Sequence, residues 1–507
     1  MKQSNYTVIQ NGESCDVVDV PEVPFDAFRE QLLQAVEDGA WIAALFAMPA
    51  DRSTLRAFVI LAHSHSGSLW LSSTILPDEF TALTPDCPQA HLFEREIAEQ
   101  WGVKPLGHPW LKPLRYHHSY RKEKDCWDRK SSTAILPGVT DHFQVDGQEI
   151  HEVAVGPVHA GVIEPGHFRF QCHGEDVIHL EISLGYQHRG VERAMIGGPN
   201  NRTNHLVETV AGDTTIGHSL AYCQVIEALA RTIIPARASA LRAISLELER
   251  LANHVGDLGA LAGDVGFLPT ASFCGRLRGE FLNLTAMLCG NRFGHSMLCP
   301  GGVRFDADSD RVHNFLERFE SAVSDVTDAI NLLWKSPSVM DRFEDTGVVK
   351  IEDAIELGLV GLVARACGIE ADIRSDFPTG IYRFTNISTA TWHTGDVFSR
   401  AFVRWIEIER STAFIRDLIK SLPQSEIRIA LEPMEPNKIA VALVEGWRGA
   451  ICHVAITDAT SKFAHYKIVD PSFHNWFGLG MAMRDQQVSD FPLCNKSFSL
   501  SYCGHDL

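Results

Sequence analysis

No Cys-x-x-Cys pair occurs in the 507 residues, although twelve cysteines are spread singly from Cys15 to Cys503. That spacing excludes paired-thiolate metal ribbons and dithiol redox motifs, and it argues against a disulfide framework. Each cysteine reads as a reduced thiol packed like a small apolar side chain, the usual state in the cytoplasm. Long apolar runs are also lacking. The most apolar segments, WIAALFAM and LGLVGLVARACG, fall short of the ~18 residues that a membrane span requires. The opening MKQSNYTVIQNGESCDVV has no signal-like apolar stretch, so membrane attachment is expected only through partners. Positive charge is scarce: 45 Lys and Arg face 64 Asp and Glu, for a net charge of −19. With no compact basic patch to offset it, binding to nucleic acid or directly to a bilayer is not expected. His63 and His65, alternating on one predicted strand, and the adjacent His117 and His118 lack a third ligand at a convincing spacing and read as structural.

What is present is a soluble globular composition, 45% hydrophobic and 21% charged, in a chain long enough for two to four domains at roughly 150 residues each. Residues 1–123 read as a small α/β unit. Its predicted helix is FDAFREQLLQAVEDG, its strands are WIAALFAM, LRAFVILAH and SLWLSSTIL, and HLFEREIAEQWG follows. The charge-dense segment Tyr120 to Thr133 marks the domain boundary, with a linker over 124–149. Beyond it, Leu241, Ile244, Leu248, Leu251, Val255 and Leu258 recur at steps of three and four, which predicts a helix with one buried face, opened by Pro235. A second long helix is predicted across Gly395 to Pro423. The stretch KIAVALVEGWRGAICHVAITD predicts two strands around a Gly-containing turn. There is no internal repeat or low-complexity tract.

Three segments carry a resemblance that periodicity does not supply: VGPVHAGVIEPGHFRF (Val155 to Phe170), LGYQHRGVERAM (Leu184 to Met195) and GNRFGHSMLCPGGV (Gly290 to Val303). They resemble the large subunit of energy-converting, formate-hydrogenlyase-type [NiFe]-hydrogenases and its relative, the quinone-site subunit of respiratory complex I. The likeness runs through ELERLANHVGDLGALAGDVG, GLVARACGIEADIR and GDVFSRAFVRWIEIERS to cover residues 150–507. FEREIAEQWGVKPLGHPWLKPLRY (Phe93 to Tyr116) resembles the small peripheral-arm subunit of complex I that docks on that large subunit. The resemblance implies an α+β chain: a small N-terminal α/β domain, then a helical-bundle large-subunit domain with peripheral β-structure. Fusion of the two modules holds them at high effective concentration and points to a constitutive assembly.

The resemblance also locates a loss. Hydrogenases of this kind place two Cys-x-x-Cys pairs around nickel and iron, because these metals in low oxidation states prefer soft thiolate donors. Here the first pair falls on Ala211 and Thr214, and the second on Ser501 and Gly504, with Cys503 between them and Cys494 upstream. The quinone contacts of complex I are altered as well: His159 is kept, but the second histidine position is Ile163 and the tyrosine position is Gly212. The family geometry implies that Gly212, Asp213, Thr215 and His218, with His159 and Ser501, face the emptied cavity, where a small polar ligand or ordered water would bind. The alternative is that Asp213 and Thr214 cap the helix starting near Ile216. His188 and Arg189 of QHRG are implied to approach a [4Fe-4S] cluster in a partner, where a guanidinium stabilises the reduced cluster. Glu249, Asn253 and Asp257 form a polar row at i, i+4, i+8, read either as part of a coupling path or as a solvated helix face.

The resemblance therefore implies the large subunit of a complex I-like, hydrogenase-related oxidoreductase, attached to the inner face of the cell membrane through its partners. Those partners are an iron–sulfur small subunit and antiporter-like membrane subunits, and no metal is expected in the chain itself. A quinone is the candidate ligand of the cavity. A non-catalytic scaffold of the same complex is the second reading, and an active [NiFe]-hydrogenase the third. The purified protein is expected to carry no stoichiometric nickel, because four non-thiolate residues stand at the ligand positions. Elemental analysis showing near-stoichiometric nickel, together with hydrogen uptake, overturns this.

Overall fold

The computed structural model describes residues 6–51, 53–130, 132–159 and 163–507. The N-terminal unit is a four-stranded antiparallel sheet in the order Thr7–Gln10, Ser68–Leu76, Leu55–His63, Trp41–Pro49. The helices Phe25–Glu37 and His91–Trp101 pack beside it. The predicted strand with His63 and His65 ends at His63. His65 lies in a one-turn helix instead, and His63 accepts the Ser66 N–H and stacks on Trp70. His117 bonds the carbonyl of His118 and stacks on Tyr120. Among the described residues no helix or strand lies between Leu106 and Ile150.

One short stretch joins this unit to the far end of the chain. The strand Glu13–Asp16 does not pair with Thr7–Gln10; it adds to the C-terminal sheet beside Lys438–Glu445. Asn11, buried at the crossing, exchanges hydrogen bonds with both backbone groups of Leu443, at 2.7 and 2.9 Å, and donates to the Phe377 carbonyl at 2.8 Å. The strand Lys438–Glu445 is buried on both faces, and its side chains alternate between two cores, as the two-residue period of a strand requires. Ile439, Val441 and Leu443 join the apolar cluster of the N-terminal sheet, while Ala440, Ala442 and Val444 join the helical core.

The helical core is built on Ala236–Asp264, a 29-residue helix about 43 Å long at 1.5 Å per residue. Its predicted leucine seam, Leu241 to Leu258, is fully buried. The helices Leu268–Cys289 and Val397–Lys420 pack along it. A three-stranded antiparallel sheet, Ile150–Val155, His167–His173 and Asp176–Ser183, lies at the periphery. No helix among the described residues is long and apolar enough to cross a membrane.

Two buried ionic clusters tie these parts together. Inside the helical core, Arg250, Arg365 and Arg374 meet Glu247, Asp372, Glu407 and Glu445, all buried. Arg374 bonds both Glu247 oxygens and Asp372, Arg250 reaches Glu247 and Glu407 at 3.1 Å, and Arg365 joins Glu407 to Glu445. Tyr382 and Ser411 donate to Glu247, at 2.8 and 2.6 Å. Against burial, Arg365 and Arg250 hold Glu407 well below the usual carboxylate range. Burial pushes Glu445, in the same cluster, upward. At the junction with the N-terminal unit, Lys467 reaches both oxygens of Glu96 at 2.7 and 2.6 Å, and Arg115 pairs with the same carboxylate. Glu99 accepts the N–H groups of Leu114 and Arg115. The acidic residues of the FEREIAEQWG segment are thus joints of the fold. Removing one cation from a cluster that already holds four acids leaves buried charge unpaired. Arg365→Met is expected to lower stability by about 3–5 kcal/mol, read by denaturant unfolding; an unchanged midpoint refutes the assignment.

Candidate functional site

The loop Val207 to Thr214 and the segment Ser499 to Leu507 lie side by side, held by Arg189. This exposed side chain donates to the carbonyls of Gln187, Thr209, Val210 and Cys503, so one guanidinium clamps both loops. Asp506 accepts the N–H groups of Gly185 and Gln187, and its carbonyl bonds His188 Nδ1 at 2.8 Å. Burial, with Arg115 nearby, lowers His188 to about 4, leaving it neutral.

The four residues at the expected ligand positions, Ala211, Thr214, Ser501 and Gly504, carry no thiol. Ala211 is fully buried. Thr214 Oγ1 accepts from Arg448 at 3.2 Å and donates to Asp213 at 3.2 Å. Ser501 Oγ accepts the Gly504 N–H at 2.9 Å. A Cβ placed on Gly504 would stand 2.7 Å from the Asp470 carboxyl group, so Asp470 occupies the space that a cysteine side chain would need. Cys503 contacts Ser501 at 3.4 Å. Burial, and Glu164 beside it, push its thiol up to about 12, so it is not a thiolate near neutrality.

Asp470 opens a buried chain of polar groups. Its Oδ2 lies 3.1 Å from His218 Nε2, His218 Nδ1 lies 3.1 Å from His453 Nε2, and His453 Nδ1 lies 2.9 Å from the Tyr466 hydroxyl. One proton arrangement satisfies every link: tyrosine donates to His453, His453 to His218, and His218 to an ionised Asp470. Against burial, the His218 bond and the Arg448 charge hold the Asp470 carboxyl low, while burial keeps His453 neutral.

Arg448 grips Asp213 with two bonds of 2.7 Å and lies 3.9 Å from the centre of the Trp447 ring. The turn that presents it includes Gly449, whose φ of +140° and close approach to Gly361 leave no room for a side chain. Asp213 is therefore not a helix cap, and Thr214 makes no side-chain cap bond to the helix Thr215–Leu229. Glu249 does that work from the central helix, accepting the N–H groups of Ile216 and Gly217 at 2.7 and 3.1 Å. Asn253 donates to the Asp213 carbonyl at 2.9 Å. Asp257 pairs with Lys496 at 2.8 Å and Arg404 at 3.1 Å. The polar row of the central helix is turned toward the loop, not toward solvent.

A chamber of about 1020 Å³ lies beside these groups. Asp213, Asn253, Asp257, Asp264, Arg278, Arg448 and Lys496 line its polar side, and Val153, Val155, Ile163, Phe170, Phe491 and Tyr502 its apolar side. His159 borders it and bonds the Gly166 carbonyl at 2.9 Å. Burial raises Asp264 to about 6. Of the sequence candidates, His159 and Asp213 line the chamber. Gly212 borders a separate small hollow, and Thr215 and His218 are buried. Sequence reading missed Arg448, Asp470, His453 and Tyr466, and it found Glu249 without its role as the cap of the helix Thr215–Leu229. Among the described residues no group of three or more His, Cys, Asp or Glu is arranged to hold a metal ion.

The family described as respiratory-chain NADH dehydrogenase, 49 Kd subunit, matches residues 264–439. A carbon monoxide-induced hydrogenase of Rhodospirillum rubrum is 31% identical over 344 residues, 68% of this chain and 95% of that protein. The chain belongs to this family of hydrogenase and NADH dehydrogenase large subunits. Hydrogenase-4 component G of Escherichia coli (strain K12) is 28% identical over 488 residues, covering 93% of this chain and 84% of its own length. A chain of the membrane-bound sulfane sulfur reductase, an archaeal respiratory membrane complex, shares the fold at a TM-score of 0.67 and 22% identity, over 72% of this chain and all of its own.

Within this family frame, Glu249 provides a pH test. Burial, against the two helix N–H bonds, pushes its carboxyl from 4.5 up to about 8. A folded-state value above the unfolded one means the folded chain holds this proton more tightly, so the stability is full below about 4.5 and lost as pH rises through about 8. Between about pH 5 and about pH 9, Glu249→Gln is expected to gain on the parent by at least ~1 kcal/mol. Parallel pH profiles for the two proteins refute it.

Proposed function

We propose that the chain is the fused large subunit of a complex I-like, hydrogenase-related membrane-associated oxidoreductase, and that its chamber takes a small oxidant, with a quinone as the candidate. In this reading residues 1–123 are the peripheral-arm module and 150–507 the large-subunit module. An iron–sulfur small subunit delivers electrons, Arg189 and His188 face its [4Fe-4S] cluster, and antiporter-like membrane subunits anchor the assembly to the inner face of the cell membrane. The residues present do not suit a nickel–iron centre. Ala211 and Gly504 offer no donor atom, Thr214 and Ser501 offer only hydroxyls, and Asp470 fills the space beside Gly504, so no step is derived through such a centre.

The observation that carries the reading is the chamber itself: about 1020 Å³, apolar on one side and charged on the other, beside the vacated ligand positions. Its size suits an organic ligand, and its polar side suits a carbonyl or phenolic headgroup. A quinone reduced here takes up two electrons and two protons. Asp264, raised to about 6 through burial, is a wall residue able to supply one of these protons. The scaffold reading draws support from the mutual satisfaction of Asp470, His218, His453 and Tyr466, which leaves that part of the site without a free reactive group.

The two readings divide on filling the chamber. Gly256 lines it from the central helix, and a Cβ placed there would first meet the long side chain of Arg278. Gly256→Phe is expected to reduce quinone-linked turnover of the intact complex at least about tenfold by occupying the ligand volume, with co-purification of the small subunit unchanged. Normal turnover in a stable complex removes the chamber from the mechanism and leaves the scaffold.

A further inference from the structure

Most of the polar groups around the chamber are engaged with the protein itself. Asp213 holds Arg448, and Asp257 holds both Lys496 and Arg404. Trp447 Nε1 and Asn253 Nδ2 each give to the Asp213 carbonyl at 2.9 Å, and His159 bonds the Gly166 carbonyl. The positions that the resemblance assigns to the second quinone histidine and to the tyrosine are Ile163 and Gly212, and neither side chain is a donor. One charged donor is left over. Arg278, half-buried on the helix Leu268–Cys289, lines the chamber and makes no ion pair or hydrogen bond among the described residues. Arg448 and Lys496, the other cations of the wall, each have a carboxylate.

The packing of two helices places this side chain. Ala271, Cys274 and Arg278 of the helix Leu268–Cys289 face Gly263, Gly259 and Gly256 of the central helix. The first two contacts set a small residue against a glycine, which brings the helices close; the third lays the arginine stem across the glycine backbone. A Cβ at Gly256 would stand 2.6 Å from Arg278 Cδ and 3.1 Å from its Nε, so the missing side chain at 256 is what admits the arginine. A stem seated in that slot has given up part of its rotamer freedom before a ligand arrives, which lowers the entropy cost of binding through its planar fork.

We infer that Arg278 is the oxygen-binding residue of the chamber, and that it gives the site a preference for a quinone with an ionised oxygen next to a carbonyl. Two vicinal oxygens match two parallel N–H groups of a guanidinium, and the negative charge makes both bonds charge-assisted. The ring then lies against the apolar side, with Val153, Val155, Phe170 and Phe491. The inference rests on the chamber reading above and adds to it the chemical class of the ligand and the residue that selects it.

The test is isothermal titration of the full chain with two ring-matched compounds: 2-hydroxy-1,4-naphthoquinone, ionised near neutrality, and the neutral 2-methoxy-1,4-naphthoquinone. The parent is expected to bind both at one site and to favour the ionised compound at least about tenfold. Arg278→Gln removes a cation that no acid depends on, so the variant is expected to fold. It should weaken the ionised compound more than the neutral one and bring the preference down to about threefold or less. Gly256→Phe should abolish binding of both compounds by filling the chamber. A parent that binds neither compound to millimolar concentration, or a Gly256→Phe variant that binds both as the parent does, removes the chamber reading and this inference with it. A parent without the preference, or an Arg278→Gln variant that keeps it or loses both compounds alike, overturns the assignment of Arg278 and leaves the chamber reading in place. If Arg278→Gln fails to fold, Arg278→Lys decides: it keeps the charge without the fork and should cut the preference at least about threefold, and an undiminished preference there overturns the assignment.

Discussion

The arrangement depends on three guanidiniums and four carboxylates buried together between the central helix and the C-terminal sheet. Such a cluster is costly to desolvate, and removing one member leaves buried charge unpaired. Its members come from the central helix, the helix Val397–Lys420, the strand Lys438–Glu445 and the short helices Gly361–Ala366 and Ile373–Asp376, the second capped by Asp372. Satisfying them together fixes the rotation of the central helix about its axis. One face then carries the leucine seam into the core, and the adjoining face carries Glu249, Asn253 and Asp257 to the loop that holds Asp213. The polar side of the chamber follows from that rotation.

The strand Lys438–Glu445 sets the second constraint. By alternating its side chains between two apolar cores it makes the N-terminal unit and the helical bundle share a wall. Asn11 and Lys467 reinforce the joint with buried polar contacts that bring together residues more than 350 positions apart.

At the positions that the resemblance assigns to metal ligands, charge pairing surrounds residues without thiols. Asp470 takes the room a thiolate would use, His218 and His453 pass its hydrogen bonding into the core, and the Arg448 and Asp213 pair closes the side toward the chamber. The outcome is a preserved fold with an interior that is polar, internally paired and bordered on one flank by a large cavity.

Much of the fold was legible in the chain itself. The three-and-four spacing of Leu241 to Leu258 marked the central helix, alternating and continuous apolar runs marked the strands, and ordered motifs such as GPVH and QHRG marked the family. That Ala211, Thr214, Ser501 and Gly504 carry no thiol was visible too, because residue type is a one-dimensional fact. The partners of those residues were not. Asp213 was open to reading as a cap, and the row Glu249, Asn253, Asp257 as a solvated face, because a helix pattern states which residues share a face and not what that face meets. Arg448 lies 235 positions from Asp213 and Asp470 lies 252 from His218, separations at which no local periodicity survives. The sequence determined the elements and the absence of sulfur; the tertiary packing decided which charges pair across those distances, because burial leaves each of them only the partner that the fold brings within hydrogen-bond reach.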